Sequence, residues 1–184
     1  KTLADLVVGN MRVIGAPEYT KEENDFAREI VETIPSDKQK TILRGVNRHG
    51  LRKLDRLEIV RDILEPSGEG EVGGGSTDVS DVSWNTPTME FTTTCAVLGT
   101  PGHSWQGTAQ YGMSIGHKGL IFAAKTLSTC ALDLLTNPSI LKAAKEELAD
   151  RMQGRVYNLP LPPDLKPPLE EAKRQREISQ RERK

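Results

Sequence analysis

The chain has 184 residues, of which 36% are apolar and only 4% aromatic, with 25 basic side chains against 26 acidic ones. That length suits one domain with a modest aliphatic core, and the balanced charge removes the electrostatic reason to expect nucleic acid or an anionic membrane as partner. An uninterrupted apolar run of about 18 residues and a basic-then-apolar leader are both missing from the sequence, so neither a membrane span nor a secretory signal is expected.

Thr2 and Asp5 have the spacing of a capping box, and Leu3, Leu6, Val7, Asn10 and Ile14 keep helical period until Gly15-Ala16-Pro17. This predicts a helix over about 2–15. Thr20 and Glu23 make a second box for a helix over about 20–35, with Phe26, Ala27, Ile30 and Ile34 as its apolar stripe and Pro35 as its stop. Ser36 and Gln39 are placed to cap a third helix reaching about Arg48, and His49 falls in an Arg-His-Gly turn as a solvated side chain. Leu54 to Leu64 fits helix and strand periods comparably.

Pro66 to Gly75 is a loop by composition. Gly70 to Thr77 imitates a phosphate loop, but Ser76 stands where the lysine would meet the β- and γ-phosphates, which removes the nucleotide reading. The glycines instead suit a tight turn before a Ser76-Thr77-Asp78 helix cap. Thr88 to Val97 reads as a strand, because Met89, Phe91, Thr93, Cys95 and Val97 alternate with more polar residues. Leu98 to Gly102 breaks it and delivers His103 just past the strand end, where mixed α/β folds place chemistry.

Leu120, Ala123, Ala124, Leu127, Ala131 and Leu134 then predict a helix over about 117–136, packed through that broad face. Pro138 opens a last helix over about 138–152 with Leu141, Ala144, Leu148 and Met152 as its stripe. The expected fold class is α/β, a mixed sheet flanked by helices over 1–154, followed by a Pro-rich extended arm and a charged, disordered tail over 155–184.

Three constellations compete for chemistry. Gly102-His103-Ser104-Trp105-Gln106-Gly107 is one residue too long for a G-x-S-x-G nucleophile elbow, which leaves Ser104 as a loop hydroxyl. Cys95 and Cys130 sit among apolar neighbours at no metal-binding spacing and suit free thiols in a reducing, cytoplasmic compartment, and a Cys/His pair meets the difficulty that Cys130 lies deep in a helical stripe. The third is a metal site at His103, whose neutral imidazole is a good ligand for zinc or manganese. Asp78 and Asp81 suit helix caps better than ligands, and His117 suits a helix N-terminus.

Taken together, GSTDVSDVSW, LGTPGHSW, AQYGMSIGHKG, AAK and DLLTNP resemble the C-terminal part of the aminobenzoyl-glutamate hydrolases. These belong to the metallopeptidase and amidohydrolase family that also holds aminoacylase and the indoleacetyl-amino-acid hydrolases. The opening, TLADLVVGNMRVIGAPEYTKEENDFA, resembles the return from an inserted lid domain, and the likeness runs over about residues 1–168. It implies the C-terminal half of a zinc-peptidase-like catalytic domain whose complete form binds two divalent cations, Zn or Mn. Those cations polarise an amide carbonyl while a glutamate acts as general base on a bridging water. The implied substrates are N-acyl or N-aroyl amino acids such as aminobenzoyl-glutamate.

By the same likeness His103, in Gly102-His103-Ser104, is the late metal ligand, with His117 as runner-up. The early ligands and the glutamate belong to an N-terminal half not in this sequence, and oligomerisation to the absent lid, so this chain alone is expected to be inactive. The other function class open to it is a non-catalytic remnant or interaction module that keeps the second half of the fold.

Overall fold

The computed structural model describes residues 1–46, 54–66, 77–159, 161, 162 and 164–182. The turn at His49, the end of the third helix near Arg48 and the phosphate-loop imitation from Gly70 through Ser76 lie outside the described residues. The chain divides into two units, Lys1–Gln153 and Gly154–Lys184.

The first unit is built from α1 (Thr2–Ile14), α2 (Lys21–Glu32), α3 (Ser36–Val46), α4 (Val79–Asn85), α5 (Trp105–Tyr111), α6 (Ser114–Thr136) and α7 (Pro138–Met152). The second carries α8 (Leu169–Glu182), whose described side chains are all exposed, where sequence composition suggests a frayed end. Among the described residues there is no strand, so the expected α/β class with a mixed sheet is wrong: the fold is all-helical.

The reason lies at 88–97. The segment is neither helix nor strand, with a bend at Ala96, and the bonds that hold it mostly pair a side chain with a backbone group rather than two backbones. Thr94 Oγ1 donates to the Val60 carbonyl at 2.8 Å, Thr93 Oγ1 to the Gly119 carbonyl at 3.0 Å, and the Val97 amide to Gln110 Oε1 at 2.7 Å. One backbone bond, Leu98 N–H to the Glu58 carbonyl at 2.9 Å, ties it to the extended stretch around Leu57 to Val60, too little for a ladder. Alternation reports fit to a pleated surface and says nothing about whether a partner strand is present.

Local signals are met in part. The Thr20 capping box closes in both directions: the Glu23 amide donates to Thr20 Oγ1 at 3.3 Å and the Thr20 amide to Glu23 Oε2 at 2.6 Å. Pro138 opens α7 with the Asn137 side chain accepting from the Ser139 amide. The Thr2 box does not form, since Lys1 is the N-cap of α1 and makes no side-chain cap bond. Gln39 does not cap α3 either; its amide group reaches back to the Val31 and Ile34 carbonyls at the end of α2. At α4 the capping oxygen comes from Thr77, which accepts from the Val79 amide, while Asp78 makes no side-chain cap bond.

Two apolar clusters hold the first unit. Ala27, Ile30, Ile34, Leu57, Ile59, Val97 and Ile115 form one; Val7, Met11, Phe122 and Cys130 form the other. The second depends on α6, which meets α1 there through Phe122 and Cys130, while its buried Ile115 joins the first cluster and Gly119 faces Thr94 and Cys95. This reverses the expected face: Leu120 and Leu127, read as core, are 63% and 59% exposed. A helix that is apolar on two sides does not declare which side its neighbours will take. By length and composition α6 would also be able to cross a membrane. The sequence criterion passes over it because Lys118, Lys125 and several hydroxyl side chains interrupt the apolar run.

The first turn of α6 is anchored to α2 by charge. Lys118 Nζ donates to Glu23 Oε2 at 2.6 Å and to the Glu18 carbonyl at 2.9 Å, and sits 5.4 Å from the Tyr19 ring centroid. Burial disfavours the Glu23 carboxylate, but donation from Lys118, Ser114 and the Thr20 amide outweighs it and holds the carboxyl below the ordinary glutamate range. A depressed folded-state value means that this stabilisation is full above the ordinary value of 4.5 and is lost as pH falls through the lower folded one. Glu23→Gln should therefore flatten the acid limb of the stability profile below pH 4.5 while lowering stability at neutral pH. Denaturant titration across pH checks this, and an unaltered acid limb in the variant would refute the assignment.

Gly119 faces the extended segment so closely that an added Cβ would lie 2.4 Å from the Thr94 carbonyl oxygen and 2.5 Å from Cys95 Sγ. Gly119→Ala must push backbone apart and should cost about 1–3 kcal/mol. Urea unfolding of the variant measures it.

Candidate functional site

The turn that carries His103 is assembled from both sides. On the incoming side Val97 is buried in the first apolar cluster and Gly99 adopts φ 82°, a conformation that favours glycine. A side chain at Gly99 would also meet Ile42 Cδ1 at 2.7 Å. On the outgoing side Ser104 is the N-cap of α5, its Oγ accepting from the Gly107 amide at 3.1 Å while its hydroxyl donates to the Pro101 carbonyl at 2.6 Å. The serine is therefore occupied in holding the turn. Helix α5 was missed because Gly102, Gly107 and Gly112 read as loop punctuation, although Ser104 before Trp105 is an ordinary N-cap signal.

Gln110 joins the two sides, and nothing in the sequence pattern marks it. Its side chain is fully buried; Oε1 accepts from the Val97 amide, and Nε2 donates to Thr100 Oγ1 at 2.9 Å and to the Gln106 carbonyl at 3.0 Å. One amide group thus fixes the end of the extended segment, the start of the turn and its own helix. All its acceptor and donor directions inside the core are used, which is how a buried carboxamide avoids a desolvation penalty.

Within this frame His103 takes φ 52°, the left-handed region, and its side chain is exposed. For a residue with a Cβ that conformation costs about 1–2 kcal/mol, and such strain gathers at functional turns. The imidazole makes no hydrogen bond to any described residue.

His117 sits elsewhere, in the first turn of α6, with its amide bonded to the Met113 carbonyl and its side chain exposed. It borders a groove of about 350 Å³ with Ile14, Pro17, Lys118, Phe122 and Lys125. A second groove, of about 280 Å³, follows Thr93–Thr100 between Val60 and Tyr111. His103 borders neither.

Among the described residues no three His, Cys, Asp or Glu side chains come together in a way that would hold a metal ion. One imidazole falls short of the three or more protein ligands a catalytic metal needs, so these residues by themselves do not fit the two cations implied by the family likeness. Cys95 and Cys130 are both free. Burial pushes the Cys130 thiol up, and it receives only a long contact from Asn10, so it is packed rather than reactive. Asp78 and Asp81 stay on α4 and its cap.

Over 175 residues the chain is 29% identical to one of the subunits of the p-aminobenzoyl-glutamate hydrolase of Escherichia coli (strain K12), a match covering 91% of this chain. The chain spans about a third, 36%, of that relative's length, consistent with a C-terminal portion. The likeness read from the GSTDVSDVSW and LGTPGHSW motifs is thereby borne out. No protein-family model matches the chain, and no solved structure does.

Replacing Gln110 by leucine should strip the Val97 amide of its acceptor in the core and cost about 1–3 kcal/mol. It should also shift the His103 imidazole resonances, because the turn is held through Thr100. Urea unfolding and imidazole NMR read the two effects separately; a destabilised variant with unmoved His103 signals would confine Gln110 to the core.

Proposed function

We propose that this chain is the His103-bearing part of an amidohydrolase that cleaves the amide bond of N-acyl or N-aroyl amino acids, aminobenzoyl-glutamate being the type substrate. The observation that carries this reading is the match to a p-aminobenzoyl-glutamate hydrolase along 91% of the chain. An exposed imidazole on a strained turn, braced from both sides, supports His103 as the residue offered to the reaction centre.

Amide hydrolysis needs a polarised carbonyl, an activated water and a base within reach of it. Among the described residues His103 joins no cluster of three His, Cys, Asp or Glu side chains. The remaining groups, and the divalent zinc or manganese ions they would hold, are assigned to the part of such a hydrolase that this chain does not span. A lid-mediated homo-oligomer would belong to that complete protein. Free Cys95 and Cys130 support a reducing, cytoplasmic setting.

Two measurements test the proposal. The 184-residue chain, purified and supplied with Zn²⁺ or Mn²⁺, should release no aminobenzoate from aminobenzoyl-glutamate. A chimera in which the chain replaces the matched 36% of the E. coli relative should hydrolyse it, and there His103→Ala should lower turnover at least about 100-fold, since a lost ligand forfeits several kcal/mol of transition-state stabilisation. His117→Ala should leave the rate within about threefold, acting only through the start of α6. Chelator-sensitive turnover by the chain alone, or a chimera indifferent to His103→Ala, would overturn the reading. An inactive chimera of full metal content would favour the non-catalytic alternative.

A further inference from the structure

Helix α6 has two apolar faces, and only one is used inside the first unit. The other carries Leu120, Ile121, Leu127, Leu132 and Leu135, exposed by 63, 54, 59, 59 and 82%, with Ala124, Ser128 and Ala131 between them. At 3.6 residues per turn these positions sweep about 140° of the helix circumference. That arc is wider than the two-position seam of a helix pair and matches a helix laid on a broad apolar surface.

We infer that this face of α6 is a docking surface for a polypeptide partner: the portion of an aminobenzoyl-glutamate hydrolase that this chain does not span. The inference rests on the proposed function and adds to it the surface through which the reaction centre would be completed. Chain length favours that occupant, because the match takes in 36% of the relative and leaves the rest to lie against something. A second unmet demand points the same way. Residues 88–96 lie in no helix or strand, and none of their amides donates to another backbone group among the described residues, which suits a partner that brings strand edges of its own.

The alternative occupants fit less well. A bilayer spanned by α6 would have to accept Lys118 with Glu23, and Asp133 with Asn10, on the packed side of the same helix. A second copy paired along α6 would use a narrow seam of the arc and leave the extended segment without partners.

The test follows position 127 in two contexts, the 184-residue chain and the chimera with the E. coli relative. In Leu127→Cys the introduced thiol should react freely with maleimide in the chain and at least about tenfold more slowly in the chimera, where local opening must precede reaction. Leu127→Glu should leave the circular dichroism of the chain unchanged and abolish soluble chimera. If the chimera does not fold, the chain is co-expressed with the unmatched part of the relative, and co-purification lost in Leu127→Glu takes its place. Failure of both arrangements to give soluble material overturns the inference, as does equal labelling in the two contexts. Concentration-dependent dimerisation of the chain that Leu127→Glu abolishes overturns it in favour of a second copy. Sedimentation of the chain with phosphatidylcholine vesicles overturns it in favour of a membrane. A chimera protected at position 127 but inactive toward aminobenzoyl-glutamate keeps the docking surface and removes the proposed substrate.

Discussion

The close approach of α6 to the extended segment at Gly119 is the contact on which the rest of the first unit depends. Position 119 has no side chain, so the Thr94 carbonyl and Cys95 can lie against the helix backbone and Thr93 can donate to the Gly119 carbonyl. That fixes the segment along one side of α6 while Thr94 reaches the Val60 carbonyl on the other. Val97 is then delivered into the apolar cluster beside Ile115, in the first turn of α6, and its amide meets Gln110. A helix, an irregular stretch and the turn that carries His103 are thus referred to one another without a sheet. Side-chain hydrogen bonds take the place that a ladder has elsewhere, and they are directional enough to set register over a few residues.

What could be read in advance depended on residues near in sequence. The Thr20–Glu23 box is closed by atoms three residues apart, and Pro138 needs only its own ring geometry to favour the first turn of α7. The strand failed because its definition requires a second chain segment, and local alternation contains no information about one. The face of α6 failed for a related reason. Leu120 and Leu127 make the stronger stripe by composition, yet the packed side includes Gly119, Thr126 and Cys130, small residues that let neighbours come close, the Thr94 carbonyl at Gly119 among them. Small side chains contribute little to a hydrophobic pattern and much to the distance at which backbones can pack.

The candidate site shows the same division. The turn position of His103 was legible because a Pro-Gly break follows an alternating run, and the turn is present even without the sheet. Gln110 was not legible. A glutamine in a short helix ordinarily faces water, and only the three-dimensional course of Val97 to Thr100 turns it into the buried bracket of the turn. His117 was marked only as the start of its helix, and that is where it lies, beside a groove with cationic and apolar walls and away from any second ligand.

The arrangement around His103 is hard to explain as structure for its own sake. A histidine in the left-handed region is less stable than a glycine there would be, and its side chain returns nothing to the fold through hydrogen bonds among the described residues. Ser104, Pro101, Thr100 and Gln110 nevertheless hold the turn from every side. Rigid support around an unengaged, strained imidazole is the pattern expected when the orientation of that imidazole matters to something outside the unit. The unused apolar face of α6 makes a parallel statement in a different physical language: leucines arranged for burial, without a neighbour to bury them. One feature concerns direction and the other area, and the proposed partner surface would answer both, covering α6 and meeting His103.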